Sequence, residues 1–496
     1  MAFKQRFGDE PVLKCRIVKN VEKRARFFDG ADCNYMAHVT ELPSLRMVVF
    51  RHDRQDRALM SVDVRTAFLQ SERYPEDDPP RYLKMRDPFT GKFILWRQVS
   101  SIYGERLAPK RWQETLSEWL ISEGFIQCEN SKSDWYHPTL DLILLIWVDD
   151  ILCDGEKSSV EIFLGKLQSK FDCKEPQWLT PDTPLDHVGI IISLSVVDGA
   201  PTISMSMGYY VDKMVDKAKS AGITLDSSVA IPMLGTIADD TPLSAKDAVL
   251  FRELNGMVGW LSNTTRPDVS YAHSRAAQHS ASPSVGALKA VIHTIRYLSG
   301  TRNFGIISRT DCPTGDFTFW CDADHAGNAE PQNHRRSQVS FIAMLNGAPI
   351  AWKSTNHTSA KANSNLSEGI TALSSGEAEI YATSEATKYF LHLSYIADEL
   401  HIPGWPATIP LYCDATTALS FMDASANKTR LKHIDVRQQW VKTLRDQELV
   451  QGVKISSEAN ISDIGTKILP APTFLQLRNK ILHQVTLPKK ASEDSK

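Results

Sequence analysis

The sequence predicts an α+β part up to about residue 310 and an α/β part with a mixed sheet after it. Three observations carry that expectation. Residues 142–153 are an apolar run broken by Asp149 and Asp150, which reads as a β-hairpin buried on both faces. Residues 236–310 show helical spacings and few strand signals, and the turn-rich segment 311–315 then closes them as a domain boundary. Beyond that boundary, strand patterns ending on Asp322 and Asp414 flank a helical pattern that carries Glu377 and Glu379.

Composition narrows the class. The chain has 496 residues, 42% of them hydrophobic and 23% charged, which are ordinary values for a globular protein with a sizeable core. A formal net charge of -3 gives no global case for nucleic-acid binding, so any such case rests on local basic stripes. Eight cysteines occur singly, without a C-x-x-C pair, against zinc knuckles or a disulfide framework. The longest apolar run, residues 142–148, is too short to span a bilayer, and the first residues lack an apolar signal core. The expectation is a soluble, intracellular protein.

In chain order, residues 1–26 are locally basic, and alternation over 12–18 predicts a strand with Lys14 and Arg16 on one face. Two cations presented together suit a triphosphate, and a solvated strand face reads equally well. Apolar Met60, Val62 and Val64 alternate with Ser61, Asp63 and Arg65, which places Asp63 on the polar face of a strand. Residues 74–90, rich in Pro, Asp and Arg, read as a surface loop. Trp112, Leu116, Trp119 and Leu120 recur at helical spacing, so the tryptophans read as core rather than as a base-stacking platform. The hairpin follows, its turn predicted to carry both Asp149 and Asp150. Adjacent carboxylates repel, and a hard cation neutralises them; Asp is also simply a good turn residue. Asp63 would supply a third carboxylate.

In the helical segment, Lys289, His293 and Arg296 lie near one face and suit either a phosphate backbone or solvent. After the boundary, strands are expected over 317–324, 339–344 and 349–352, and a Ser/Glu capping pattern opens a helix at Ser374. Asp414 ends a further strand, and Asp463 sits on a short element near the C-terminus. Acids on four separate elements, Asp322, Glu379 or Glu377, Asp414 and Asp463, are the kit for two-metal hydrolysis of a phosphodiester. Residues 471–496 turn polar and Lys-rich and read as a flexible tail.

Ordered blocks then carry a resemblance. They are Asp63 to Leu69, Ser101 to Gly104, Ala108 to Trp112, Trp147 to Asp150, Leu185 to Gly189, Thr265 to Asp268 and Arg296 to Thr301. In order and spacing they resemble the reverse transcriptase of copia-type long-terminal-repeat retrotransposons, and the stretch after residue 311 resembles the ribonuclease H that follows it in that family. The resemblance implies a right-handed polymerase with fingers and palm over residues 1–235 and a helical thumb or connection over 236–310. A ribonuclease H-like domain over 311–470 and the tail then follow. It implies Asp63, Asp149 and Asp150 as polymerase metal-binding acids and Asp322, Glu379, Asp414 and Asp463 as ribonuclease H ligands, with two Mg²⁺ or Mn²⁺ ions per site. Lys14, Arg16, Phe68 and Gly104 become substrate-binding residues. Phe68 falls where the family's bulky gate faces the sugar 2′ position, and plain core is its other reading. Implied partners are an RNA template, a DNA primer, RNA–DNA hybrid and deoxynucleoside triphosphates, in a cytoplasmic particle, with oligomeric state open. Met1 corresponds to the later fingers, an expectation of N-terminal truncation. The family usually has Tyr at Trp147 and Asn at Ala415. The alternative reading is a catalytically silent remnant that at most binds nucleic acid.

Overall fold

The computed structural model describes residues 36–51, 53–87, 90–197, 200–225, 227–308, 316–327, 336–356, 372, 374–423 and 432–487. They fall into two compact units, one built on Asp56–Trp178 with the residues up to Glu41, the other on Leu42–Gln55 and Leu179–Leu487. Both expected boundaries, after residues 235 and 310, fall inside the second unit.

The first described helix, α1 (Leu42–Val49), belongs to the second unit and is buried over almost its whole length. Arg46 shows why: its guanidinium donates to the carbonyls of Ile350 (2.6 Å), Asn263 (2.8 Å) and Thr264 (2.9 Å) and lies 4.0 Å over the Trp352 ring. Burial without a carboxylate partner lowers its pKa to about 9.

In the first unit, β1 (Ala58–Asp63) is a central strand, so Ser61 is buried along with its apolar neighbours. The polar face expected there is buried at Ser61, half-buried at Asp63 and exposed at Arg65. Next come β2 (Arg81–Arg86) and β3 (Phe93–Gln98), which pair antiparallel as a separate ribbon. This corrects the surface loop expected over 74–90: an alternating partner downstream turns half of it into a strand, a pairing that no local composition reports. Helix α2 (Ala108–Ser122) buries Trp112, Leu116, Trp119 and Leu120, its expected core face.

The strands β4 (Ile126–Gln127), β5 (Asp134–His137), β6 (Leu142–Trp147) and β7 (Asp150–Gly155) lead to helix α3 (Lys157–Lys170) and β8 (Gln177–Trp178). Their sheet runs β4-β5-β6-β7-β1-β8, which leaves β6, β7 and β1 in its interior. The aliphatic run of β6 and β7 is covered by α2 and α3 through Trp112, Trp119, Phe163 and Phe171, a continuous aromatic seam.

The second unit holds two more sheets. Strands β9 (Leu185–His187), β10 (Ile190–Val197) and β11 (Ala200–Ser206) precede four helices: α4 (Gly208–Ser220), α5 (Ala245–Thr264), α6 (Ser270–Ala277) and α7 (Val285–Gly300). Strand β12 (Phe304–Ser308) then returns to pair with β11. The last sheet contains β13 (Phe317–Asp324), β14 (Gln338–Leu345) and β15 (Ala348–Asn356), an antiparallel meander. Helix α8 (Ser375–Glu399) starts where expected, with the Ser374 hydroxyl accepting from the Glu377 N–H. It is followed by β16 (Ile409–Cys413), α9 (Thr416–Asp423), α10 (Lys432–Asp446) and β17 (Val450–Lys454). β16 runs parallel to β13 and β17 parallel to β16, so the sheet order is β15-β14-β13-β16-β17. The tail expected from residue 471 begins instead as helix α11 (Ala471–Ile481), which buries Phe474, Leu477 and Ile481, and β18 (His483–Gln484) pairs with β12. Apolar residues at helical spacing there outweigh the polar composition.

Candidate active sites

The first site forms where β1, β6 and β7 end together. Trp147 pairs with Asp150 across the hairpin, and Asp63 pairs with Asp150 across the next ladder. Asp63 and Asp150 thus stand opposite one another, while Val148 and Asp149 make the two-residue turn. This refines the expected turn: Asp150 is the first residue of β7, and Asp149 alone of the pair lies in the loop. Val148 has φ 61°, a conformation that a β-branched residue adopts at a cost. The turn is braced from two sides, because Trp112 Nε1 donates to the Val148 carbonyl (2.7 Å) and the Val64 N–H to that of Asp149 (2.8 Å).

All three acids are half-buried. Lys174 places its ammonium on Asp63, a charge partner that the sequence reading missed. Nothing local signals it, since 111 residues separate the two. Phe68 follows a left-handed Thr66 (φ 48°) on a short 3₁₀ turn, half-buried, with its ring 5.0 Å from that of Tyr103. Gly104 next to it has φ 89°, which favours glycine. Glu105 collects the Tyr74 hydroxyl (3.1 Å), the Gln98 amide (2.8 Å) and the Ile102 N–H (3.1 Å) on one oxygen. Lys14 and Arg16 lie outside the described residues.

The second site sits at one end of the mixed sheet. Trp320 pairs in register with Tyr412, their rings stacked 4.5 Å apart, so Asp322 and Asp414 stand two residues further along neighbouring parallel strands. Helix α8 brings Glu379 to them: one ligand oxygen from each of Asp322, Glu379 and Asp414 lies within 4.8 Å of the others. Among the described residues these are the acids drawn that close; Asp63, Asp149 and Asp150 share a sheet end without meeting the same limit. Glu377, the rival of Glu379, is buried and accepts from the Tyr381 hydroxyl (2.9 Å) instead.

Asp463 lies on a 3₁₀ turn over Ile461–Gly465, held by Lys467 (2.8 Å), whose ammonium also lies 3.8 Å from Asp322. Thr466 donates its hydroxyl to Asp322, and the Asn460 amide bridges the Cys321 carbonyl (3.0 Å) and Asp414 (3.2 Å). Burial, then the charges of Asp322, Cys413 and Asp414, push Glu379 up to about 10. Burial and Asp322 push Asp463 up to about 7 against the pull of Lys467. One Glu379 oxygen and one Asp463 oxygen are buried without a hydrogen-bond partner. Oxygen-only donors, crowded until their charges conflict, with lone pairs unused, fit a hard divalent cation.

Two motif blocks prove structural. Arg266, fully buried, grips Asp268 through two hydrogen bonds (2.9 and 2.8 Å) and donates to the Thr301 carbonyl (3.0 Å), while the Tyr297 hydroxyl donates to Asp268 (2.6 Å). Lys289, His293 and Arg296 bind Asp239 and the carbonyls of Ile231 and Thr224, so they fasten α7 to the preceding loop.

Residues 13–235 match the family described as reverse transcriptase (RNA-dependent DNA polymerase). The Pol polyprotein of transposon TNT 1-94 from Nicotiana tabacum is 24% identical over 452 residues, which is 88% of this chain and 32% of that protein. That of transposon RE2 from Arabidopsis thaliana is 26% identical, covering 97% of this chain and 31% of the relative. The Ty1-BR Gag-Pol polyprotein of Saccharomyces cerevisiae is 26% identical over 92% of this chain and 25% of its own length. The chain therefore spans about a third or less of these relatives. A foamy viral protease-reverse transcriptase solved with dsDNA overlaps 90% of this chain and 76% of its own, but only loosely, at TM-score 0.48 and 12% identity. With the acid-bearing hairpin inside them, residues 13–235 match the reverse transcriptase family, and over most of its length the chain is similar to retrotransposon Pol polyproteins.

Proposed function

We propose that the chain is an RNA-directed DNA polymerase joined to a ribonuclease H. The observation that carries this reading is Asp63 opposite Asp150 with Asp149 on the adjoining turn, inside the stretch that matches the reverse transcriptase family. In the first reaction, a primer 3′-hydroxyl attacks the α-phosphate of a deoxynucleoside triphosphate and pyrophosphate departs. In the second, water cleaves the RNA strand of a hybrid. Divalent cations held by the acids, Mg²⁺ or Mn²⁺, would supply Lewis-acid stabilisation of charge on the attacking and leaving oxygens. The chain's own groups do the positioning. Asp63 and Asp150 are presented by a buried, fully paired sheet, so their spacing is set before substrate arrives. Lys174 orients Asp63 through an ion pair. The Phe68 ring, propped by Tyr103 and five residues on from Asp63, would crowd a 2′-hydroxyl. At the second site Asp322, Glu379 and Asp414 form the converging set, and Asn460, Thr466 and Lys467 aim Asp414, Asp322 and Asp463.

The test is extension of a DNA primer on an RNA template with Mg²⁺ or Mn²⁺, alongside cleavage of labelled RNA in a hybrid. Asp149→Asn should lower extension at least ~100-fold, the scale of losing one group that stabilises transition-state charge. Asp322→Asn should lower RNA cleavage comparably. Salt-sensitive nucleic-acid binding without either turnover would overturn the enzymatic reading in favour of a silent remnant.

A further inference from the structure

The ribbon of β2 and β3 belongs to no larger sheet, and it exposes more apolar side chain than its size warrants. Its register pairs Tyr82 with Arg97, Lys84 with Leu95 and Arg86 with Phe93. Cross-strand partners point to the same side, so one face carries Tyr82, Lys84, Arg86, Phe93, Leu95 and Arg97. The rings and the leucine there are open to solvent: Tyr82 is 59%, Phe93 64% and Leu95 68% exposed. Lys84 lies 4.5 Å over the Phe93 ring. Residues 81–98 contain five Lys or Arg and a single acid, Asp87, in a chain of net charge -3.

We propose that this face is a docking strip for single-stranded nucleic acid, which stacks bases on Tyr82 and Phe93 and threads its phosphates past Lys84, Arg86 and Arg97. The argument is charge and shape together. A protein partner of ordinary surface would meet uncompensated cations, whereas a single strand brings one phosphate and one flat base per step, matching a face on which rings and cations alternate. The opposite face, with Leu83, Met85, Ile94 and Trp96, carries a single cation, Arg81, which lies 4.0 Å over the Tyr74 ring, and serves as the internal control. The proposal takes its class of partner from the nucleic-acid reading above and adds where a single strand is held and by which side chains.

The test uses the full chain without metal or nucleotide, a labelled twelve-nucleotide oligo(U) or oligo(dT), and fluorescence anisotropy over a series of salt concentrations. Tyr82→Ala and Phe93→Ala should each weaken binding about 5- to 100-fold with the salt slope unchanged, as expected for loss of a stacked base. Lys84→Ala with Arg97→Ala should lower the slope of log affinity against log salt by about 0.7 per cation removed. Circular dichroism melting of each variant excludes misfolding, and cross-linking from 5-iodouracil to Tyr82 supplies a second readout. Binding and salt slope that stay at the parent value in all four substitutions, while the parent chain binds and extends primers, overturn the strip alone. No binding by the parent chain overturns the strip and the nucleic-acid reading together. A loss confined to Ile94→Ser or Trp96→Ser, accompanied by a change in sedimentation, overturns the strip in favour of a protein contact through the other face.

Discussion

Glu379 is surrounded on the sheet end by burial and by Asp322, Cys413 and Asp414, which together oppose its charge and outweigh one backbone hydrogen bond at Ala323. Its raised pKa has a definite consequence for stability, because an acid that prefers its proton in the folded state stabilises the fold below its unfolded pKa. That contribution disappears as pH climbs from the ordinary value of 4.5 toward about 10. Asp463 behaves alike between 3.8 and about 7. Metal-free protein should therefore lose stability between pH 5 and pH 8, read as a falling urea midpoint in chelator. Glu379→Gln keeps the shape but has no proton to hold and no charge to bury, so it should be more stable than the parent at pH 8 by roughly 1–3 kcal/mol, one pKa unit being worth about 1.4 kcal/mol. A less stable variant at pH 8 would mean that the carboxylate is compensated. Adding Mn²⁺ should raise the melting temperature of the parent and release protons, both effects shrinking in Glu379→Gln, because a cation binds the ionised form.

At the scale of elements, the turn of the first hairpin trades backbone comfort for position. Val148 at φ 61° is held there by the Trp112 and Val64 hydrogen bonds on either side. Glycine normally destabilises relative to alanine, but a left-handed backbone costs an L-residue about 1–2 kcal/mol. Val148→Gly should then be more stable than Val148→Ala, by about 1 kcal/mol in denaturant melts, the reverse of the ordinary order. The ordinary order would show that the turn relaxes. The Arg266–Asp268–Tyr297 network joins the 3₁₀ turn Pro267–Val269 to α7 in the second unit through a fully buried ion pair. Arg266→Met strands Asp268 and should cost about 3–5 kcal/mol. A loss under 1 kcal/mol would show that Tyr297 alone satisfies the carboxylate.

At the scale of the whole molecule, each acid set lies within a single compact unit, Asp63, Asp149 and Asp150 in one and Asp322, Glu379, Asp414 and Asp463 in the other. Sites without shared partners add independently. Asp322→Asn should leave primer extension within about twofold of the parent, and Asp149→Asn should do the same for RNA cleavage. A larger cross-effect in both directions would show that the reactions share a group.

The amino-acid sequence by itself determined the elements that are periodic and locally specified. The aliphatic hairpin, the Trp112 and Trp119 face and the Ser374 cap all rest on interactions a few residues apart or on a repeat that any window displays. It also singled out Asp322 and Asp414, because acids at strand ends stand against an apolar background; Glu379 was set above Glu377 only by the family resemblance, and the tertiary structure brings the three together. What only the tertiary structure decided depends on distant pairing. β1 became an interior strand, residues 81–86 became half of a ribbon, α1 joined the second unit and residues 471–481 became a packed helix. Likewise Lys174 met Asp63, Glu105 became an acceptor for three donors, and Glu377 was taken by Tyr381. In each case, the deciding energy is a contact or burial that exists only after the chain has closed a long loop, and neighbouring residues carry no record of it.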